Sequence, residues 1–372
     1  MRRIFVPFAV LLCFAARLPA ICLAATVDGP YVVRAASGQL VSWTVEDDGA
    51  GLRKQSRPVS AGDSLAVAAV GSLPAFTVTL RKPAEVAKDS FAVASAAPLF
   101  VVADTHGEFE ILADMLRAHR VVNGKLAWSF GRGQLVVLGD VFDRGANQVE
   151  ILWLLYELEA QARRAGGAVH LLLGNHEVMA LRGDLRYLNA RYAQATPLLG
   201  VRTYSQLFDA HSVLGQWLRT RPAVLKLNDS LYLHGGVSPA LVARKLSLAE
   251  INDGVRAGLN ELPPFSPQER ERVEFLLGQE GPLWYRGYFP ERSNGAAATM
   301  ADVDASLAQF GVRRVIVGHT IVPTITPLYA GKVVAVQVYP GHEADGRDHF
   351  ECLSIKSGKL LRALPDGSTQ PL

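Results

Sequence analysis

The sequence predicts an α/β domain preceded by a small all-β module, and three observations carry that prediction. From Pro98 onward, short apolar runs alternate with helical patterns, the grammar of a sheet with helices on its faces. Residues 26–82 instead hold short β-type runs broken by turn signals, the mark of an all-β unit. Finally, five of the apolar runs after Pro98 end in Asp, Asn or His, at the strand end where open α/β sheets place ligands.

The chain has 372 residues, 49% apolar and 20% charged, enough for one large domain or a large one with a small companion. Residues 1–25 are expected to be a signal peptide. Arg2 and Arg3 form a positive start, Ile4–Ala16 is apolar, and Cys22, Ala24 and Ala25 are small residues suited to cleavage near Ala24 or Ala25. The uninterrupted apolar run falls short of the roughly 20 residues a spanning helix needs, which disfavours an uncleaved anchor. Bulky Ile21 disfavours a lipoprotein reading of Cys22. Arg2, Arg3 and Arg17 account for the whole formal charge of +3, so the mature chain is balanced. No basic run interleaved with aromatics suggests a nucleic-acid partner. Cys13 and Cys22 belong to the signal and Cys352 stands alone, so no internal disulfide is expected in the mature chain. Export points to a secreted or periplasmic protein, or one in an organellar lumen, with no membrane contact after cleavage.

Within 26–82 the β-type runs are Tyr31–Arg34, Leu40–Val45, Ser64–Val70 and Ala75–Leu80, separated by turns such as Asp28-Gly29, Ser37-Gly38 and Gly62-Asp63. The plain expectation is a packing extension covering an edge of the α/β domain's sheet; the sharper one is a recognition module for peptide, glycan or cell surface. The Ala/Ser-rich stretch 83–97 reads as a linker, and residues 98–372 as the α/β domain.

In that domain Leu99–Ala103 leads into Asp104-Thr105-His106-Gly107. Gln134–Leu138 leads into Gly139-Asp140-Val141-Phe142-Asp143-Arg144-Gly145. Val169–Leu173 leads into Gly174-Asn175-His176-Glu177, Leu231–Leu233 into His234-Gly235-Gly236, and Arg314–Val317 into Gly318-His319-Thr320. Helical patterns fall around Phe109–Arg120, Asn147–Arg164, through Tyr192 and around Ser205–Arg219. Carboxylate, amide and imidazole donors without thiolate suit Mn, Fe, Zn or Ni better than a structural zinc site. One Asp-x-His is weak, since such pairs share loops by chance. Five such ends in one chain are strong.

This set resembles the phosphoprotein-phosphatase branch of the calcineurin-like metallophosphoesterases. Gly183-Asp184-Leu185-Arg186-Tyr187 and Val317-Gly318-His319-Thr320 are most similar to the Shewanella-like protein phosphatases. The resemblance covers roughly Pro98 to Cys352 and departs at Ala103, where the family has Gly. It implies a β-sandwich flanked by helices and two metal ions (Mn, Fe or Zn). Asp104 and His106 would hold the first, Asp140 would bridge, and Asn175, His234 and His319 would complete the second. Such a pair lowers the pKa of a shared water for in-line attack on phosphate. His176, paired with Asp143, matches the family's general acid, and Arg144 its phosphate-binding arginine; Arg286 is the candidate for a second. Glu177 is given no direct chemical role.

The function implied is a dinuclear-metal phosphomonoesterase acting on phosphorylated protein or peptide, at Tyr and/or Ser/Thr. A small-molecule phosphatase or dinucleotide polyphosphate hydrolase keeps the chemistry and changes the substrate. A non-catalytic binding protein is the alternative of another class, disfavoured because every expected ligand is present. Trp284 and Tyr285 are more simply packing residues than ring-stacking ones. The stretch from Asp184 to Pro222 is expected to cap the site and set its depth, a deep slot favouring phosphotyrosine. Oligomeric state is not legible.

Overall fold

The computed structural model describes residues 25–82, 85, 91–260, 266–293, 296–342 and 348–372. The expected signal segment before Ala25 and most of the expected linker (83, 84 and 86–90) lie outside the described residues. The N-terminal part holds an antiparallel sheet β1 (Ala25–Arg34), β2 (Leu40–Asp47) and β3 (Leu52–Val59), then a hairpin of β4 (Ser64–Val67) and β5 (Phe76–Thr79). β3 was not among the expected strands. Both its faces are polar and largely exposed, so alternation never marks it; Arg53, Lys54, Arg57 and Pro58 guard it as an edge.

Two six-stranded sheets form the centre, the β-sandwich that the resemblance implied, where the alternation of apolar runs and helices by itself had suggested one sheet. β6 (Ala92–Val93), within the expected linker, is an edge strand of one of them, beside β10 (Val224–Leu227). β7 (Leu99–Val102), β8 (Gln134–Val137) and β9 (Ala168–Leu171) run parallel, Leu99 opposite Gln134 and Gln134 opposite Ala168. In the sheet of β6 and β10, β11 (Ser230–Leu233) and β12 (Arg314–Val317) are parallel, Leu233 opposite Val317. β13 (Thr326–Leu328) and β14 (Val333–Ala335) extend that sheet, and β15 (Gly341–His342) pairs with β16 (Asp348–His349) as a separate hairpin. β17 (Cys352–Lys356), β18 (Lys359–Ala363) and β19 (Thr369–Pro371) add antiparallel strands beside β7. β7, β8 and β11 are buried at every position. That is why they read as unbroken apolar runs instead of alternating ones. Side chains of both sheets share one continuous core.

Between the sheets' strands lie α1 (Phe109–Ala118), α2 (Gln148–Arg164), α3 (Asn175–Leu181), α4 (Ala190–Leu198) and α5 (Val213–Leu218). α2 is buried on nearly every side, Trp153 and Tyr156 fully so, as expected of a helix covered on two faces. The second cover is the N-terminal part. The Trp153 indole donates to the Pro30 carbonyl at 2.8 Å, and the Arg81 amide to the Tyr156 hydroxyl at 2.9 Å, with the Arg81 guanidinium stacked over the Tyr156 ring. The N-terminal strands therefore lie against α2, α4 and α5, where a cover for a sheet edge had been expected. Segment 184–222 also departs from expectation: Tyr192, Tyr204, Phe208 and Trp217 turn into the core beside β1 and α2, and Tyr187 alone of that segment lines the cleft described below. Among the described residues no helix is long and apolar enough to cross a membrane.

Candidate active site

The ligand candidates come from both sheets and meet where the strand ends face each other. β7 delivers Asp104 and His106, β8 Asp140, and the β9 end Asn175 and His176; β11 and β12 of the other sheet deliver His234 and His319. All are buried, His319 the most exposed of the metal-ligand candidates at 7%. Tight turns out of the strands make this crowding possible. His106, Asp140, Asp143, Arg144 and His319 all take positive φ, between 45° and 71°, a conformation that costs non-glycine residues free energy and concentrates at functional sites. Glycine is required where backbones cross: a Cβ on Gly174 would lie 2.2 Å from Asp140 Oδ1, and one on Gly139 would lie 2.3 Å from the Gly174 nitrogen.

Second contacts aim each donor. His106 Nδ1 donates to the Phe142 carbonyl at 2.9 Å, which leaves its Nε2 lone pair facing Asp140 Oδ2 at 3.8 Å and Asp104 Oδ2 at 4.0 Å. His234 Nδ1 likewise donates to the Leu138 carbonyl at 2.9 Å. Its Nε2 then faces Asn175 Oδ1 at 2.8 Å, Asp140 Oδ2 at 3.1 Å and His319 Nδ1 at 3.1 Å. Asp104 Oδ1 accepts from the His319 amide, and the Asp104 amide donates to Gln337 Oε1. Glu177, fully buried, accepts from the amides of Asp140, Val141 and Gly174 at 2.7 Å each. It fastens the β8 and β9 turns together and takes no place in the cleft lining.

The donor set fits metal ions. With its proton on Nδ1, His234 Nε2 turns its lone pair toward the carboxylate and amide oxygens of Asp140 and Asn175 and lies 3.1 Å from the neighbouring imidazole nitrogen, a convergence that a shared cation satisfies. Protonation is the alternative relief. Burial lowers the His234 pKa, but Asp140 and Asp104 more than offset this and lift it to about 9. Burial holds His106 down at about 4, and burial with the neighbouring His234 holds His319 well below the usual range, so both remain neutral donors. His106, Asp140 and His176 form one possible ligand group and Asp140, His234 and His319 another, sharing Asp140.

His176 stands apart by its hydrogen bonding. Its Nδ1 donates to Asp143 Oδ2 at 2.6 Å, and its Nε2 lies 3.8 Å from Asp140 Oδ2. Burial pulls its pKa down, but Asp140 and the Asp143 hydrogen bond raise it on balance. Its ring lies 5.3 Å from that of Tyr187. The cleft above these groups, about 170 Å³, is bordered by Arg144 and Arg286, with Tyr187, Tyr339, Trp284 and Ile321 around them. The Arg144 guanidinium sits 5.9 Å from the Tyr187 ring and 5.8 Å from the Tyr339 ring. All ten expected site residues are thus in or against one cleft. Gln337, Tyr339 and Ile321 had not been expected there; Gln337 and Tyr339 sit in the apolar run Val336–Val338 and its end, which carries no motif. Ala103 is fully buried, and a Cβ on facing Gly318 would lie 3.6 Å from its own Cβ, so the methyl group is accommodated.

Residues 97–323 match the family model of the calcineurin-like phosphoesterases. The chain belongs to that family. It is 34% identical to a cold-active protein-tyrosine phosphatase of a psychrophilic Shewanella, whose solved structure it matches with a TM-score of 0.79 over 93% of this chain and 99% of that one. Coverage of that extent reaches into the N-terminal β region, beyond the stretch from Pro98 that the motifs had marked. Shewanella-like protein phosphatase 2 of Arabidopsis thaliana is 24% identical over 265 residues, 60% of this chain. Shewanella-like protein phosphatase 1 of Plasmodium berghei is 25% identical over 227 residues, 61% of this chain. The chain spans 66% and 62% of the lengths of these two relatives.

Proposed function

We propose that this chain is a dinuclear-metal phosphomonoesterase that removes phosphate from protein side chains, with phosphotyrosine preferred. The observation that carries the reading is Arg144, set between the rings of Tyr187 and Tyr339 at the mouth of the buried donor cluster. A guanidinium fork takes two phosphate oxygens, and the flanking rings offer an aryl ester surface that an alkyl ester does not need. The Shewanella structure, described as a protein-tyrosine phosphatase, supports the same preference.

Asp104, His106 and Asp140 would hold one metal ion, and Asp140, Asn175, His234 and His319 the other. When bound, the pair supplies Lewis acidity and a water of lowered pKa. The chain's own groups do the rest. Arg144 and Arg286 grip the phosphate and fix its orientation. His176, protonated and facing the cleft, donates the proton that the departing oxygen needs. Asp143 sets the His176 ring by its bond to Nδ1 and stabilises the imidazolium. Export to the periplasm or beyond is proposed on the N-terminal sequence alone, and processing of the expressed full chain tests it.

Sequence-matched phosphotyrosine and phosphoserine peptides, incubated with Mn²⁺-loaded protein, test the function. Chelator-sensitive release that is faster from phosphotyrosine is expected. Equal release would remove the tyrosine preference. Release from diadenosine tetraphosphate but neither peptide would instead favour the relatives named as symmetrical bis(5'-nucleosyl)-tetraphosphatases, to which half of this chain is 24% identical.

A further inference from the structure

A buried line of side chains runs from the N-terminal strands to the turn that carries Asp143. The Asp143 amide can only donate, and it donates to Gln148 Oε1 at 2.6 Å. That fixes the Gln148 amide, whose Nε2 then donates to the Tyr204 hydroxyl at 2.8 Å. Tyr31 on β1 directs its one proton to Asp28 Oδ2 at 2.9 Å, so its 3.4 Å contact with the Tyr204 hydroxyl is closed by the Tyr204 proton. The donors thus all point one way and end on a carboxylate. Asp28, Tyr31, Gln148 and Tyr204 are each at most 1% exposed.

A second arm reaches the same turn. Arg191 lies 3.4 Å from Asp28 and donates to the Ala146 carbonyl at 2.7 Å, where Tyr192 also donates, at 2.6 Å. Asn189 donates to the Arg144 carbonyl at 2.6 Å, and the Arg144 amide to the Tyr187 carbonyl at 3.0 Å. The turn needs such restraint, because Asp143 and Arg144 take φ of +71° and +68° in succession, which non-glycine residues hold only when their surroundings over-determine it.

We infer that Asp28, Tyr31, Tyr204 and Gln148 are positioning residues for the proton-donating step, the N-terminal strands acting through them to hold Asp143, and hence His176, in place. This rests on the reading of His176 and Asp143 given above. It assigns the N-terminal β structure a part in turnover that neither a packing extension nor a recognition module would have.

The test uses the full, metal-loaded chain and two substrates that differ in leaving group. An alkyl phosphate leaves poorly and needs the acid, whereas 2,4-dinitrophenyl phosphate leaves readily without it. Gln148→Leu is expected to lower kcat on the alkyl phosphate about tenfold or more, a part of the 10²–10⁴ that a placed acid contributes. Its kcat on the dinitrophenyl ester and its metal content should stay within about twofold of the unaltered chain. Amide exchange of the 140–147 segment, read by mass spectrometry, should quicken. Tyr204→Phe and Tyr31→Phe, which remove single oxygens, should shift both readouts in the same direction by less, and carry the test if Gln148→Leu does not fold. Equal losses on the two substrates, or no loss with exchange unchanged, would overturn the inference. His176→Asn separates the two claims. If it shows no leaving-group selectivity while Gln148→Leu still speeds exchange, the acid assignment falls and the restraint of the turn stands.

Discussion

The floor and the rim of the cleft are built on opposite principles. On the floor, Asp104, His106, Asp140, His234 and His319 are all nearly inaccessible. The rings of His106 and His234, from different sheets, are both aimed by carbonyls of the turn after β8, Phe142 for His106 and Leu138 for His234. At the rim, Tyr187 and Ile321 are 47% and 52% exposed, and the Arg144 guanidinium lies 5.9 and 5.8 Å from the Tyr187 and Tyr339 rings. Geometry fixed from two sheets cannot be altered one residue at a time, so it suits chemistry common to all substrates. A rim made of separate side chains can change without disturbing it, and the proposed tyrosine preference rests there.

That contrast predicts graded effects. Asp140 sits in both candidate ligand groups and also anchors the His176 amide. Asp140→Asn should therefore remove activity on every substrate alike, by a factor on the order of 10³ or more, measured as phosphate release under saturating metal. Substantial residual turnover would show that the floor is not a single unit. His176→Asn should cost about 10²–10⁴ on poor leaving groups, with metal content unchanged by elemental analysis.

Behind the floor, Asp28 gives a stability effect. Burial lifts its carboxyl from 3.8 to about 6, against the pull of Arg191 and the Tyr31 hydrogen bond. Because the folded-state value lies above the unfolded one, the protonated form is favoured by folding. The associated stabilisation is complete below pH 3.8 and is lost as the pH rises through 6. Relative to Asp28→Asn, the unaltered chain should lose about 2–3 kcal/mol of unfolding free energy between pH 4 and pH 7. Parallel denaturation curves at the two pH values would refute this.

At the rim the effects shrink and become selective. Arg144→Lys keeps the charge and loses the planar fork, and should raise KM for phosphate esters by roughly 10–100-fold, the worth of a charged hydrogen bond. Tyr187→Ala should cost only about 3–5-fold, matching an exposed cation–π contact, and mainly on phosphotyrosine peptides. A loss equal on phosphoserine peptides would make Tyr187 part of the phosphate grip rather than of substrate choice.

The same division explains what could be read from the sequence. Floor residues lie within a few positions of the end of an apolar strand, so residue type and local pattern expose them. The split into two sheets is invisible at that range: β8 and β11 are equally apolar, and nothing local says which neighbour each pairs with. β13 and β19 are three residues long and partly or wholly exposed, too short for periodicity to register. Gln337 and Tyr339 stand 233 and more positions from Asp104 and carry no motif, and Tyr31 meets Tyr204 across 173 residues. Such pairings exist only once the chain has folded. The cap expected from 184–222 is reduced to Tyr187 for a related reason: Arg191, Tyr192 and Tyr204 of that segment serve a buried polar network with β1 and α2.

If one floor holds two metal ions, turnover should depend on both. Metal-stripped protein should be titrated with Mn²⁺ while bound metal and phosphate release from a phosphotyrosine peptide are measured together. Two equivalents bound per chain are predicted, with activity appearing as the second site fills. Full activity with one equivalent, or with none, would rule out a two-metal floor.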